Sequence, residues 1–411
     1  MVEQHKMDNP LAREDAGIDP SEISGRFLLQ LGPLLILASI FFLNFTSRII
    51  LAPLIPAIEE DFNLSHAHAG ALFFLISLGY FISITNSGFI SSRLNHKRTI
   101  IMSNTVLGVA LIGTAFCRDV WSFCLGLFTV GIAAGVYLPS AISTLTGLIS
   151  SRNWGKALAI HEIAPNLGFV AAPLIAEFIM TRFSWKIAFI LFGVAALILS
   201  PLFARFGRGG EFLGEAPSFI SFKQLFTKSS FWVMAFLFSI AICGSLGIYT
   251  MLPVYLVTEI GMERNLANTL VALSRISGLI ISFVGGWAVD RFGPKWTLKI
   301  VLLITGMMTV LLGIAPGRYA HVIVFLQPLV AVCFFPAGFA AVSFIFPPKS
   351  RNLAVSLIVP LAILVGGGIV PIFIGLIGDI SSFALGIAIS GGVITAGSIF
   401  TGMLKFHSQQ N

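Results

Sequence analysis

The chain has 411 residues, of which 56% are hydrophobic and only 10% charged, against roughly 25% charged in an ordinary soluble domain. That balance excludes a soluble fold. The formal net charge of +7 does not point to nucleic acid either, because the basic residues sit singly in short loops between apolar runs and form no stripe or tail.

In chain order, residues 1–29 are polar, with Pro10, Pro20 and scattered charge, and no small-residue cleavage site follows the first apolar run. They are expected to form a cytoplasmic tail, not a signal peptide. Apolar segments then recur, each long enough to cross a hydrocarbon layer of roughly 30 Å. Their pattern predicts helices over 30–58, 69–93, 98–117, 120–150, 155–181 and 185–206. A polar connection over 207–228 follows, then helices over 229–258, 266–290, 295–315, 319–347, 351–379 and 382–404, and a short tail at 405–411. The expected fold is therefore an all-α integral membrane protein of twelve transmembrane helices in two pseudo-symmetric six-helix bundles, 30–206 and 229–404, joined by a cytoplasmic loop.

Ionisable groups at membrane depth cost about 2.5–3.5 kcal/mol each on insertion scales, so the few present are informative. In the first helix Arg48 stands about 18 residues from the start, too deep to snorkel easily, with Asn44 one turn earlier on the same face. The fourth helix carries Tyr137. The fifth carries the adjacent pair His161 and Glu162, which point about 100° apart, so that one is expected to face a central cavity and the other a neighbouring helix. A carboxylate or imidazole there can titrate near neutrality, as proton coupling requires, with Pro165 loosening the local backbone. Glu59, Glu60, Asp61, Glu177 and Asp379 lie near helix ends, where solvated or interfacial positions are expected.

In the second half, the seventh helix carries Tyr249 and the tenth Gln327, both of residue types that also serve ordinary packing. Arg275 in the eighth precedes Asp290 by fifteen residues, about 22 Å along a helix, which places it well inside the bilayer. The run Gly366, Gly367 and Gly368 in the eleventh suggests close helix contact and bending, not ligand chemistry. Cys117, Cys124, Cys243 and Cys333 lack paired spacing, which indicates packing and neither a disulfide framework nor a zinc site.

Lys and Arg bias loops to the cytoplasm. If the N-terminus is inside, that side collects residues such as Arg93, Lys97, Arg98, Arg205, Arg208, Arg291, Lys295 and Lys299, and the other side only Arg118, Arg182, Lys186, Arg264 and Arg318. Both termini are thus expected to be cytoplasmic. The halves also echo each other at an offset of about 198 residues, with Pro139 matching Pro336 and Pro173 matching Pro371. The loop GFISSRLNHKR, Gly88 to Arg98, aligns with GWAVDRFGPK, Gly286 to Lys295.

The second loop, through Gly286, Asp290, Arg291, Gly293 and Lys295, resembles the G-x-x-x-D-R-x-G-x-K signature of the major facilitator superfamily, and helix count, repeat and orientation extend the likeness over the chain. The resemblance implies a gate latch on the cytoplasmic side that holds an outward-open state. The first copy keeps Gly88 and Arg93 but has Ser92 in place of the acid and Asn95 in place of the glycine, which implies a weaker latch. It further implies that helices 1, 4, 5, 7, 8, 10 and 11 line a central pathway, which makes Arg48 and Arg275 eligible substrate ligands. The helix-1 segment itself resembles that of the anion-transporting branches, where an arginine stands at a similar distance before a proline.

A nucleotide-binding G-x-x-x-x-G-K-[ST] segment is absent from the sequence, which argues against a primary pump, and His161 with Glu162 is too thin a constellation for an enzyme. No cofactor is indicated. Two central cations and no acid in helix 1 favour a small organic anion, a carboxylate, moved by symport with protons or sodium, with Glu162 or His161 carrying the cation. Arg48, Arg275, Asn44, His161, Tyr137, Tyr249 and Gln327 are the candidate substrate contacts. The alternatives are a proton-driven exporter of hydrophobic compounds, whose pocket the 38 phenylalanines would supply, and a non-transporting receptor on the same scaffold. The expected setting is the cytoplasmic membrane, as a monomer in the lipid bilayer.

Overall fold

The computed structural model describes residues 20–150, 153–216, 219–276 and 278–404; of the tails expected at 1–29 and 405–411, residues 1–19 and 405–411 lie outside them, and residues 20–29 are helix, not tail. Eleven described helices are long and apolar enough to cross a membrane. In chain order the long helices are α1 (Pro20–Ile49 and Leu51–Phe62), α2 (His66–Leu94), α3 (His96–Ala115), α4 (Val120–Gly135 and Tyr137–Leu148), α5 (Trp154–Met180) and α6 (Lys186–Phe206). After a short helix, Phe219–Phe226, come α7 (Ser229–Thr258), α8a (Arg264–Ile276), α8b (Gly278–Phe292), α9 (Pro294–Ile314), α10 (Ala320–Val332 and Phe334–Ile345), α11 (Pro348–Ile380) and α12 (Phe383–Gly397).

Three helices are interrupted for one visible reason. Proline lacks the N–H that the carbonyl four residues earlier needs, and its ring crowds that carbonyl. The breaks at Ile50 in α1, Val136 in α4 and Cys333 in α10 each fall three residues before a proline, namely Pro53, Pro139 and Pro336. Helices α7 and α11 instead widen into π turns at Cys243–Gly247 and Ile363–Ile369. These two turns meet through glycines: a Cβ on Gly247 would stand 2.3 Å from the carbonyl oxygen of Gly366, so only glycine permits the approach.

Take the end of the molecule that holds the start of α1 and the end of α12 as the near end, and the opposite as the far end. One apolar cluster fills the far half and includes residues of both bundles, among them Leu51, Leu54 and Ile58 of α1 and Tyr249, Leu252 and Leu256 of α7. In the near half the cores are separate, one around Leu37, Phe41 and Tyr137 and another around Phe238, Phe334 and Ile358. The bundles therefore meet across α1–α7, α2–α11 and α5–α8a in the far half. Toward the near end α2 still touches the π turn and first part of α11, and the remaining helices pack within their own bundle.

Candidate functional site

Arg48 ends the first segment of α1, just before the break that Pro53 produces, so its side chain leaves the helix where the bundles begin to part. Its Nε donates to the carbonyl of Asn44 at 3.4 Å, and its guanidinium lies over the rings of Tyr80 at 4.3 Å and Phe45 at 5.3 Å. Asn44 does not turn its amide toward the same point. Its Nδ2 donates to the carbonyl of Ala134 at 3.0 Å, a group near the α4 break.

Arg275 is 7% exposed. One Nη donates to the carbonyl of Ser245 at 2.6 Å, in the π turn of α7, and the guanidinium lies 4.7 Å from the ring centres of both Phe169 and Tyr249. Its Nε is buried with no hydrogen-bond partner. Among the described residues neither arginine forms an ion pair, so one buried and one half-buried cation face aromatic surface and single carbonyls. The two guanidiniums do not touch. Phe45 and Phe169 lie between them, edge to face at 4.9 Å.

The pair on α5 splits as its helical spacing requires. His161 is fully buried, stacked on Phe41 at 4.4 Å, with Nε2 3.1 Å from the hydroxyl of Tyr137. That hydroxyl donates to the carbonyl of Leu37 at 2.7 Å, so Tyr137 and His161 belong to the interior of the first bundle. Glu162 keeps 57% of its side-chain surface and shares a helix face with Asn166 and Phe169, the face that reaches Arg275. His161 Nδ1 has no hydrogen-bond partner and stands 3.8 Å from Glu162 Oε1. Gln327 is committed within the second bundle, its Nε2 donating to the carbonyl of Gly244 at 2.7 Å and to Thr309 Oγ1 at 3.1 Å. The structure thus brings together Arg275 and Tyr249, places Arg48 two rings away, and sets Asn44, Tyr137, His161 and Gln327 into helix packing.

Two seams at the far end carry carboxylates expected at solvated or interfacial helix ends, of which Asp379 is exposed and Glu177 is not. Glu177 is 8% exposed and accepts from Arg264 Nε at 3.1 Å, Arg264 Nη2 at 3.3 Å and Asn268 Nδ2 at 3.0 Å, joining α5 to α8a. Asp379 accepts from the backbone N–H groups of His66 and Ala67, both at 2.9 Å, joining α11 to the start of α2. Positions 66 and 264 are 198 residues apart, the offset of the repeat, so the two clamps are counterparts. Glu59, expected at a solvated or interfacial end, is buried and pairs with His66 at 2.9 Å.

At the near end Asp290, Arg291 and Arg93 are exposed, and no hydrogen bond of a described residue carries them across to the other bundle. Gly88 and Gly286 are half-buried in α2 and α8b. The two loop copies share a backbone: Gly293 has φ +79° and ψ 158° and its counterpart Asn95 φ 64° and ψ 165°, a positive-φ conformation that favours glycine. Lys295 donates to the carbonyls of Gly402 at 3.1 Å and Leu404 at 3.2 Å, and Lys97 pairs with Glu211 at 3.0 Å. Each lysine thereby holds the chain that leaves the last helix of its own bundle.

Against known proteins, residues 37–325 and 258–409 match the family described as the Major Facilitator Superfamily. The chain is 22% identical over 296 residues to a gallate transporter of Pseudomonas putida, covering 63% of this chain and 65% of that relative, hence less than two thirds of its length. It is 23% identical over 325 residues to a Cupriavidus necator protein named "Probable sulfoacetate transporter SauU", covering 73% and 75%. In fold it is similar to a bacterial homologue of the human lysosomal transporter Spinster in an inward-facing, occupied conformation, with TM-score 0.73, 17% identity and 90% and 94% of the two chains covered. This chain belongs to the major facilitator superfamily, a family of multi-pass membrane transporters of small molecules.

Proposed function

We propose that this transporter works by alternating access, moving a small organic anion, a carboxylate, by symport with a cation across the cytoplasmic membrane. In this reading α8a and α8b are one span, which makes twelve, and the near end with both termini is cytoplasmic. The structure then represents an inward-open state, with the far-end clamps closed on the outer side. The excess of Lys and Arg at the near end supports that orientation. Cysteines introduced at Ser218 and Ser408, in a background without the native cysteines, should resist an impermeant thiol reagent in intact cells; labelling of either from outside would overturn it.

One observation carries the substrate reading: Arg48 and Arg275 lie at membrane depth, one in each bundle, without a carboxylate partner among the described residues. An anion supplies the missing charge, and an anion held by both draws the bundles together, which couples binding to rocking. Relatives named for gallate and sulfoacetate, both organic acids, support the same class. The pair of Glu162 and His161, a carboxylate and an imidazole within the span of α5, is the cation site this reading favours.

Counterflow of labelled organic acids in proteoliposomes tests transport directly. Charge-assisted hydrogen bonds are worth about 1.5–3 kcal/mol, so Arg48→Lys and Arg275→Lys should each weaken binding about ten- to a hundredfold. Glu162→Gln should abolish uphill uptake while substrate exchange persists. Unchanged affinity in both arginine variants would remove the anion clamp, and normal pH-driven accumulation in both Glu162→Gln and His161→Gln would remove the pair from coupling.

A further inference from the structure

The hydrogen bonds around His161 leave its neutral ring a single tautomer. The Tyr137 hydroxyl has one proton and donates it to the Leu37 carbonyl at 2.7 Å. Its oxygen can then only accept from His161 Nε2, 3.1 Å away, so that nitrogen carries the hydrogen of the ring. The opposite arrangement would set the Tyr137 and Leu37 oxygens against each other at 2.7 Å with no hydrogen between them. Nδ1 is therefore a bare lone pair, buried and without a hydrogen-bond partner, with Glu162 Oε1 3.8 Å away. A buried acceptor without a donor is costly, and a bound proton removes that cost.

The surroundings suit a ring that gains charge. Phe41 of α1 stacks on the imidazole at 4.4 Å and 11°, with its π face toward it. The titratable groups that face the site are Tyr137 of α4 and Glu162 of α5 itself, and Tyr80 of α2 lies within electrostatic reach of Glu162; α1 contributes the Phe41 ring and the Leu37 carbonyl. A hard cation such as sodium needs several oxygen ligands, and the Nδ1 side of the ring offers one carboxylate beside a nitrogen.

We propose that Tyr137 is the positioning residue of a proton site: by holding the hydrogen of neutral His161 on Nε2, it keeps Nδ1 open as the atom that accepts the coupling proton. The inference rests on the cation-symport reading above and names its ion and its atom. Glu162 stays exposed, so its carboxyl takes a proton from water and passes it inward after a small side-chain rotation closes the gap. The carboxyl O–H bond breaks, the Nδ1–H bond forms, and an imidazolium beside a carboxylate remains. In the other tautomer the free lone pair would face Tyr137, away from the carboxylate.

The test is NMR of the imidazole nitrogens in purified full-length protein in lipid nanodiscs, isotope-labelled at histidine, with the His161 signals assigned by their loss in His161→Gln. The neutral ring should carry its hydrogen on Nε2, acid should protonate Nδ1, and exchanging potassium for sodium should change neither signal. Tyr137→Phe keeps the ring and removes the hydroxyl, so the share of the Nδ1–H tautomer should rise about fivefold, the effect of one ordinary hydrogen bond. A parent ring with its hydrogen on Nδ1, or a tautomer ratio unchanged in Tyr137→Phe, overturns the positioning role; the parent spectrum decides alone if that variant does not fold. An imidazole that stays neutral throughout the acid range in which the protein is folded, or whose signals follow sodium, overturns the proton site and leaves cation symport intact. The expected tautomers together with normal pH-driven accumulation in both His161→Gln and Glu162→Gln would instead overturn the coupling reading above.

Discussion

The two ends of the molecule are built from related pieces yet do opposite things. At the far end, carboxylates reach from one bundle to the other: Glu177 to Arg264 and Asn268, Asp379 to the start of α2. At the near end the charged motif residues stay within their own bundle, Lys97 with Glu211 and Lys295 with carbonyls of the chain that follows α12. Charge that joins bundles must be undone when the protein changes state. Charge that ties a loop to its own bundle moves with it and need not be. The difference separates gate residues from scaffold residues even where both are ionic.

The sharpest way to break that comparison is to remove the buried gate carboxylate. Losing one partner of a fully buried pair costs about 3–5 kcal/mol, but Arg264 keeps 37% of its side-chain surface, so about 2 kcal/mol is the better expectation. Glu177→Gln should then shift the balance toward a far-end-open form roughly thirtyfold. Spin labels at Arg118 and Arg318, exposed far-end turns of opposite bundles, would read this as a longer distance population. An unchanged distribution would show that the core, not the clamp, closes this end.

Steric contacts make the same distinction. A Cβ on Gly70 would meet the carbonyl oxygen of Pro371 at 2.4 Å, across the seam, whereas one on Gly79 would meet that of Phe128 at 2.3 Å, inside the first bundle. Overpacking costs about 1–3 kcal/mol in either place. Gly70→Ala should therefore lengthen the far-end distance with the folded yield preserved, and Gly79→Ala should lower the folded yield without changing that distance. The reverse assignment of effects would contradict the two-bundle division of the packing.

Asp379→Asn is expected to act in the same direction as Glu177→Gln but more weakly. It removes a charge at an exposed helix N-terminus, worth about 0.3–1 kcal/mol. The two seams share no partners, so the double variant should shift the distance distribution by the sum of the single effects. A clear departure from additivity would mean that the seams open as one unit.

Much of this arrangement was legible in the sequence and some was not, for physical reasons. The apolar runs fixed the helices, because they act over neighbouring residues, whereas the breaks before Pro53, Pro139 and Pro336 were not expected, since prolines such as Pro165 and Pro173 sit inside unbroken helix. Glu177 was misassigned because its partner Arg264 lies 87 positions away, and nearness to a helix end says nothing about what faces it. The repeat did hold a clue: Arg264 falls at the counterpart of His66, so two equivalent positions begin α8a and α2. Phe45, Tyr80 and Phe169 could not be singled out among 38 phenylalanines and five tyrosines, since an aromatic residue facing lipid and one facing a cation look alike in a chain. The face shared by Glu162, Asn166 and Phe169 was readable from spacing, but its direction was not, because the helix carries another stripe through Ile163 and Leu167 that is exposed instead.

The smallest expected effect belongs to the scaffold side of the comparison. Glu211 lies in the loop after α6, which folds back over the α2–α3 turn: Lys97 N–H donates to the Gly210 carbonyl at 2.8 Å, and Gly214 N–H to that of Ser91 at 3.0 Å. The hydrogen bond from Lys97 holds the Glu211 carboxyl below its usual range. A carboxylate with a depressed folded-state value stabilises docking above its ordinary value and loses that contribution as pH falls through the lowered one. Docking should thus be constant through neutral pH and weaken only in acid, below about pH 4.5, the ordinary range for glutamate. Both partners are partly exposed, so the pair is worth about 0.5 kcal/mol or less and is screened by salt. Glu211→Gln should raise hydrogen exchange of residues 210–214 about twofold at pH 7, with the difference from the parent vanishing in acid and at high salt. The far-end distance between Arg118 and Arg318 should not respond to this substitution, because Lys97 and Glu211 sit on the same bundle. A shift there would mean that the near-end loop belongs to the gate after all.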